Sequence, residues 1–204
     1  MRHSLPVLGI LGLVAAAVII VVIASREVPP RVERGTGPGR LEQSTPTGTK
    51  VVSVPRGSAH DYDPLGDDEE HAEEAPLAVD QDSATAWTTE TYQNDTLTKP
   101  EGSAAGVGLY IDAEPSVNGR RLEIQTPEPG WKMEIYGSRS KPSGEWPSDD
   151  WTKLGGGTVE SRKQSFKLDT GDRRYRYYLV WITELPPDSD HVAITQLTLS
   201  APKE

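Results

Sequence analysis

The chain has 204 residues, a formal net charge of −10 at pH 7 and no cysteine. Without thiols it cannot form disulfide frameworks, thiolate zinc sites or a cysteine nucleophile. The acidic balance argues against a nucleic-acid partner, because attraction to phosphate needs a basic face.

Residues 5–24 form an uncharged, apolar run near the start of the chain. At ~1.5 Å per residue, a helix of this length crosses the ~30 Å hydrocarbon core of a bilayer. We predict an uncut transmembrane anchor over residues 1–25. A cleaved signal peptide is the alternative, although its apolar core is shorter, at roughly 7–15 residues. Because large domains translocate largely regardless of charge, we expect a single-pass protein of the cell membrane whose C-terminal domain is extracytoplasmic.

Residues 26–57 are rich in proline and glycine and contain few large apolar side chains. Such a segment cannot bury enough apolar surface to offset the entropy of ordering, so it is predicted to be a flexible, disordered linker. Residues 58–204 remain, and this is the length of one ordinary domain.

From residue 49 onward, short β-prone runs follow one another with Gly, Pro, Asp and Asn between them. In several runs charged and apolar residues alternate, as in a strand with one buried face. The predicted strands span residues 50–54, 107–112, 120–126, 131–137, 164–168, 174–182 and 192–199. Residues 69–78 form a weak helix candidate. Strands at this spacing predict an all-β domain, specifically an antiparallel jelly-roll β-sandwich.

Two segments carry a family resemblance. Residues 78–87 read AVDQDSATAW, which resembles the A-x-D-G-D-x-x-T-x-W signature of discoidin-like (F5/8 type C, galactose-binding-like) domains, and residues 193–197 resemble the last strand of that family. Further segments look like the extracytoplasmic C-terminal domain of actinobacterial membrane serine/threonine kinases and lipid II flippase homologues: residues 61–67, 87–92, 106–110 and 177–182. The resemblance implies a jelly roll. Neither kinase nor flippase activity follows, because the chain contains no such domain.

An acidic segment provides a first candidate metal site. Asp61, Asp63, Asp67 and Glu70 are spaced as alternating oxygen donors, with Gly66 available for a sharp turn. Clustered carboxylates repel one another unless a cation is present, and Ca²⁺ favours several such oxygens. We therefore consider Ca²⁺ here, with a solvated acidic loop or a helix start as the alternative.

The resemblance implies a second candidate, because the matching loop and last strand of discoidin-like relatives often hold a structural Ca²⁺. In this chain the ligands would come from Asp80, Asp82, Thr85 and Gln196. Gln81 and Gln196 replace the usual Gly and Glu, and the neutral amide of Gln196 weakens the set. The alternative is that Asp80 and Asp82 make turn and capping hydrogen bonds.

Aromatic rings in polar surroundings are the candidates for ligand contact. Trp146 lies in a polar insert and is the ring most expected to be exposed, followed by Trp131 and Tyr92. Such rings stack on the apolar face of a sugar while polar neighbours bond its hydroxyls. For each ring alone, a structural role is the alternative.

Catalytic motifs are missing from the sequence. None of the four histidines lies in a metalloprotease or triad pattern, and no nucleophile elbow or phosphate loop occurs. A carboxylate pair for glycoside hydrolysis stays open, because sequence spacing does not give the separation of two groups. We predict a non-enzymatic, membrane-anchored module that binds a cell-envelope glycan or wall precursor. The alternative is a structural or interaction domain that docks onto a membrane protein, such as a kinase or a cell-wall synthesis enzyme.

Overall fold

The computed structural model describes residues 48–66, 70–93, 97 and 106–203. These residues belong to one compact unit, residues 43–204. The predicted anchor at 1–25 and residues 26–47 of the predicted linker lie outside the described residues. Within the part of the chain that is described, no helix is long and apolar enough to cross a bilayer.

The described residues form strands and two short 3₁₀ segments. The strands are β1 (Thr49–Val51), β2 (Ala59–Tyr62), β3 (Trp87–Thr88), β4 (Val107–Val117), β5 (Arg121–Gln125), β6 (Lys132–Ser138), β7 (Thr152–Thr158), β8 (Lys163–Lys167), β9 (Tyr175–Glu184), β10 (Ala193–Ile194) and β11 (Gln196–Pro202). The 3₁₀ segments are Arg56–Ser58 and Ala72–Val79. The second contains Pro76 and largely overlaps the weak helix candidate.

The strands assemble into two main antiparallel sheets. A four-stranded sheet has the order β1-β11-β5-β8, and a five-stranded sheet has the order β2-β4-β9-β6-β7. A small ladder pairs β3 with β10. Leu122 and Ile124 of the first sheet and Ile111 and Val180 of the second belong to the same buried cluster, so the sheets pack face to face. The predicted all-β, antiparallel β-sandwich is confirmed.

Strand β1 lies inside the range predicted as linker. It pairs with β11 through Thr49↔Pro202 and Val51↔Ser200. Its backbone hydrogen bonds to a long neighbouring strand supply the stabilisation that its exposed side chains do not. The sandwich therefore includes residues ahead of residue 58.

Strand β9 is buried on both of its faces. Tyr178 and Val180 point into the core between the sheets. Tyr177, Leu179 and Trp181 point to the other side and join a second buried cluster, which we call the outer aromatic cluster. Its other members are Tyr62, Tyr110 and Trp151, with Leu65, Tyr136 and Trp146 packed against it. Residues 139–151, which connect β6 to β7, bring Trp146 and Trp151 onto this outer face.

The strand register defines two ends of the sandwich. The pairs Val107↔Ile182 and Lys132↔Glu184 place the start of β4, the start of β6 and the end of β9 together. We call this the loop end, because the connections 89–93, 126–131 and 185–192 meet there. The pair Val117↔Tyr175 lies toward the opposite end.

Candidate functional site

A cavity of about 570 Å³ opens at the loop end of the sandwich. Polar and ionisable side chains dominate its lining: Tyr92, Gln93, Glu128, Asp188, Asp190 and His191. Its volume lies within the ~300–1,000 Å³ typical of small-molecule sites. We call it the loop-end cavity.

Backbone hydrogen bonds hold the two main walls of the cavity together. Tyr92 N donates to Asp190 O at 2.8 Å, and Thr89 N donates to Val192 O at 2.9 Å. Val192 N in turn donates to Thr89 Oγ1 at 3.1 Å. Because these bonds tie the 89–93 segment to the 185–192 segment, the cavity is built before a ligand arrives.

The side chains of Asp190 and His191 interact on the rim of the cavity. His191 Nδ1 lies 2.9 Å from Asp190 Oδ1. The hydrogen bond from His191 lowers the pKa of Asp190 below its usual value. The carboxylate is therefore ionised at neutral pH, and it offers hydrogen-bond acceptors at the cavity edge.

Tyr92 is fixed in the cavity wall by a buried carboxylate. Its hydroxyl donates to Glu70 Oε1, and Glu70 Oε2 accepts the backbone N–H of Glu90 at 2.7 Å. Glu70 is fully buried. Burial and the contact with Glu70 raise the pKa of Tyr92, so its hydroxyl stays protonated and keeps donating.

The first predicted metal set is only partly described. Asp61 Oδ2 accepts the backbone N–H of Glu70 at 2.9 Å, Asp63 is buried, and Asp67 lies outside the described residues. Among the described residues, no group of three or more His, Asp or Glu side chains is arranged to hold a metal ion. The contacts of Asp61 and Glu70 are those of structural carboxylates that order a loop.

In the second predicted metal set, the ligand oxygens accept hydrogen bonds from donors of the protein itself. Asp80 Oδ2 accepts Arg56 Nη2 at 2.7 Å and Thr85 Oγ1 at 2.9 Å, and Asp80 Oδ1 accepts Asp82 N at 2.8 Å. Gln196 Oε1 accepts the backbone N–H of residue 81 at 2.9 Å.

Asp82 Oδ1 accepts the backbone N–H of Ala84 at 3.0 Å, so each predicted ligand in this second set is engaged by a hydrogen bond or an ion pair. Although burial acts in the opposite direction, the hydrogen bonds from Asp82 and Thr85 and the charge of Arg56 lower the pKa of Asp80. The Arg56 guanidinium supplies the positive charge beside this carboxylate. The donor set does not fit Ca²⁺, and the alternative of turn and capping hydrogen bonds describes the geometry.

The three predicted ligand-binding rings lie in three different surroundings. Trp131 is 0% exposed in the core between the sheets, and its Nε1 is buried without a hydrogen-bond partner. The expectation that its ring is exposed is therefore wrong. Trp146 stacks on Trp181 with ring centroids 4.3 Å apart and belongs to the outer aromatic cluster. Only Tyr92 of the three lines the loop-end cavity.

Four ionisable residues of the cavity are absent from the sequence-based candidates: Glu128, Asp188, Asp190 and His191. They lie in short polar connections that follow β5 and β9. In sequence they resemble ordinary turns, and no local pattern marks them. The register of β5, β6 and β9 brings them together, and register is a tertiary property.

Comparison with solved structures defines the fold. The truncated AlyQ protein, with family 32 carbohydrate-binding and alginate lyase domains, is 12% identical with a TM-score of 0.53, and the match covers 77% of this chain and 34% of that one. The family 32 carbohydrate-binding module of NanJ from Clostridium perfringens, solved with galactose, is 15% identical with a TM-score of 0.50, covering 74% of this chain and 98% of that one. The fold is that of the family 32 carbohydrate-binding modules.

The family 89 glycoside hydrolase from Clostridium perfringens is 15% identical with a TM-score of 0.49, and this chain spans only 15% of its length. No protein-family model and no curated protein sequence matches the chain. The matches to the family 32 modules confirm the discoidin-like, galactose-binding-like fold class. The finer resemblance to actinobacterial kinase and flippase domains has no support from these comparisons.

Proposed function

We propose that the protein is a carbohydrate-binding module that holds a glycan in the loop-end cavity. The observation that carries the proposal is the preorganised cavity itself, with carboxylates, an amide and an imidazole on walls joined by backbone hydrogen bonds. Carboxylate and imidazole groups exchange hydrogen bonds with sugar hydroxyls, and ordered walls lower the entropic cost of binding.

The ring of Tyr92 gives the cavity an aromatic side. Because its hydroxyl is directed to Glu70, the ring is held in one orientation. A ring fixed in this way offers an apolar surface to the C–H groups of a pyranose. The fold of the NanJ module solved with galactose supports the same class of ligand.

We further propose that a membrane tether carries this module. The apolar run at residues 5–24 would hold the domain near the cell surface and raise its effective concentration there. Cell-envelope glycans and wall precursors are the saccharides available at that surface. We therefore propose an extracytoplasmic, single-pass protein that recognises one of them.

The module is proposed to bind without catalysis. The NanJ match covers 98% of a chain that is itself a carbohydrate-binding module. On the rim of the loop-end cavity, His191 Nδ1 lies 2.9 Å from Asp190 Oδ1. This contact fixes an acceptor for a sugar hydroxyl.

A glycan array probed with the 204-residue chain tests the proposal. Asp190→Asn removes a charged acceptor, and a hydrogen bond to a charged group contributes about 1.5–3 kcal/mol, so we expect affinity to fall roughly 10- to 100-fold. Asp172→Asn is the matched control, because this exposed residue precedes β9 and lies far along the sheet from the loop end. Equal losses for both variants, or no glycan bound by the unaltered chain, would contradict the proposal.

An interaction domain is the second candidate function. The observation that favours it is Val51, an exposed large hydrophobic residue that is 66% exposed on edge strand β1. It lines a cleft of about 510 Å³ together with Pro115, Val117 and Pro202. A membrane protein that co-purifies with the chain, but not with Val51→Lys, while the array stays blank, would favour this function.

A further inference from the structure

A second cavity of about 510 Å³ lies on the outer face of the four-stranded sheet. On β5, Leu122 and Ile124 point into the core, whereas Glu123 and Gln125 point away from it and line this cavity. The 51–54 segment and the 81–83 loop flank it. We call it the sheet-face groove.

The groove carries no net charge from its lining residues. Its two charged members, Glu123 and Lys163, form an ion pair with Nζ 2.9 Å from Oε1. The other polar lining residues are amides and hydroxyls: Ser53, Gln81, Ser83, Gln125, Gln196 and Thr198. Amides and hydroxyls can both donate and accept, which suits ligands that do the same.

The groove also offers apolar surface beside these polar groups. Val52 and Val54 are half-buried and pack against the core, and Val79 is buried. All three line the groove. A lining that combines apolar surface with a few orienting polar groups is typical of small-molecule sites.

An ion pair and hydrogen bonds connect the segments at the rim of the groove. Arg56 pairs with Asp80 at 2.7 Å, and Gln196 Oε1 accepts the backbone N–H of Gln81 at 2.9 Å. Thr85 closes the same loop on Asp80. These bonds fix the position of the 81–83 segment and lower the entropic cost of ordering it around a ligand.

We propose that the sheet-face groove is a second saccharide site, selective for neutral saccharides and separate from the loop-end cavity. The choice of saccharide as the ligand class rests on the proposed function, whereas the preference for neutral ligands rests on the paired charges of the groove. Two sites on one tethered module would let a single chain hold a glycan at two points, or crosslink two glycans, with a gain in avidity.

Chemical-shift mapping of the ¹⁵N-labelled full chain in detergent solution tests this proposal. The neutral saccharides are galactose, lactose, maltotetraose and chitotetraose, and tetragalacturonate is the charged comparison. We expect a neutral saccharide to shift the amides of Gln81, Gln125 and Thr198, and tetragalacturonate to leave them unmoved. Shifts at Gln93 and His191 report the loop-end cavity in the same spectra.

Two matched glutamine variants separate the sites, because Gln125 lines only the groove and Gln93 only the loop-end cavity. Gln125→Ala should raise the dissociation constant measured at the groove amides roughly three- to tenfold, as expected for one lost neutral hydrogen bond. It should leave the dissociation constant at the loop-end cavity unchanged. Gln93→Ala should raise the constant at the loop-end cavity and leave that at the groove unchanged.

The possible outcomes lead to different conclusions about the two sites. Shifts at the loop end with none at the groove overturn the second site and leave the proposed function standing. Shifts confined to the groove support the second site and overturn the loop-end assignment. No shift with any of these saccharides overturns both, and equal response to tetragalacturonate overturns the selectivity for neutral saccharides.

Discussion

The structure gives Trp146 a structural role and no contact with the ligand. Replacing Trp146 by alanine tests this role. The ring stacks on Trp181 at 4.3 Å with an interplanar angle of 30°. It meets Tyr136 edge-on at 5.0 Å and Tyr62 at 6.2 Å. These contacts anchor the 139–151 insert on the outer face of the five-stranded sheet. Its loss should therefore destabilise the domain and leave the loop-end cavity intact.

The size of the effect follows from the partial burial of the ring. A fully buried Trp replaced by Ala costs about 3–5 kcal/mol. Trp146 is only partly buried, so we expect a smaller loss, about 2 kcal/mol, with the aromatic pair contributions included. For a domain of this size the corresponding drop in melting temperature is about 4–8 °C. Trp146→Phe keeps most of the stacking and should lose at most about 1 kcal/mol.

Urea unfolding followed by far-UV circular dichroism measures the stability, and the glycan array measures binding. We expect Trp146→Ala to lower the free energy of unfolding while glycan affinity stays within a factor of two of the unaltered chain. Unchanged stability together with lost glycan binding would refute this reasoning. Trp146 would then be a ligand-contacting ring after all.

Three further predictions concern the loop closed by Arg56, a crowded glycine and the buried tyrosines. Arg56 is 64% exposed, so Arg56→Gln should lower the melting temperature by only about 2–4 °C, or about 1 kcal/mol. Scanning calorimetry should show the unaltered chain melting alike in EDTA and in CaCl₂, and a rise of several degrees with Ca²⁺ would contradict the closed loop. Gly106 has φ +146, and an added Cβ would clash with the indole ring of Trp181. Gly106→Ala should therefore lower the free energy of unfolding by about 3 kcal/mol or more in denaturant unfolding. Gly144→Ala is the control and should be near neutral, because Gly144 has open space around it. Burial raises the pKa of Tyr110 and Tyr178 to about 12, above the value of about 10 in the unfolded chain. The two tyrosines should therefore contribute their whole stabilisation below about pH 10, and the free energy of unfolding should fall as the pH rises toward about 12, because the unfolded chain loses its phenolic protons first. A free energy of unfolding that stays constant over this range would contradict the raised pKa values.

The sequence predicts the strands whose side chains alternate or are strongly apolar. Strands β5, β6 and β9 match their predicted ranges within about two residues. Strand β7 is missing from the predicted strands, and Gly155, Gly156 and Gly157 give this segment no alternation of side chains. In the fold, its backbone pairs with β6, and a Cβ at Gly156 would lie 2.6 Å from Met133 O. Because β7 is held by backbone hydrogen bonds and by close packing of its glycine backbone against β6, its side chains show no alternation that would predict a strand.

The site is less predictable than the fold, because it depends on tertiary contacts. Tyr92 was identified from its polar surroundings, and it does line the loop-end cavity. Trp131 has comparable surroundings in sequence but is fully buried. The exposure of residues 131–135 alternates: Trp131, Met133 and Ile135 are buried, whereas Lys132 is exposed. The alternation of the strand, and not the polarity of the neighbouring residues, therefore decides that this ring faces the core. The role of Arg56 was equally hidden, since its partner Asp80 lies 24 residues away in the chain.

A crystal structure of the chain soaked with the tightest-binding saccharide from the array tests the central claim most directly. The account predicts a pyranose ring in the loop-end cavity, with hydroxyls within hydrogen-bond distance of Glu128, Asp190 or His191 and the ring of Tyr92 beside it. A saccharide that instead displaces the 139–151 insert and stacks on the outer aromatic cluster would contradict it, as would crystals that take up no saccharide at concentrations well above the measured Kd.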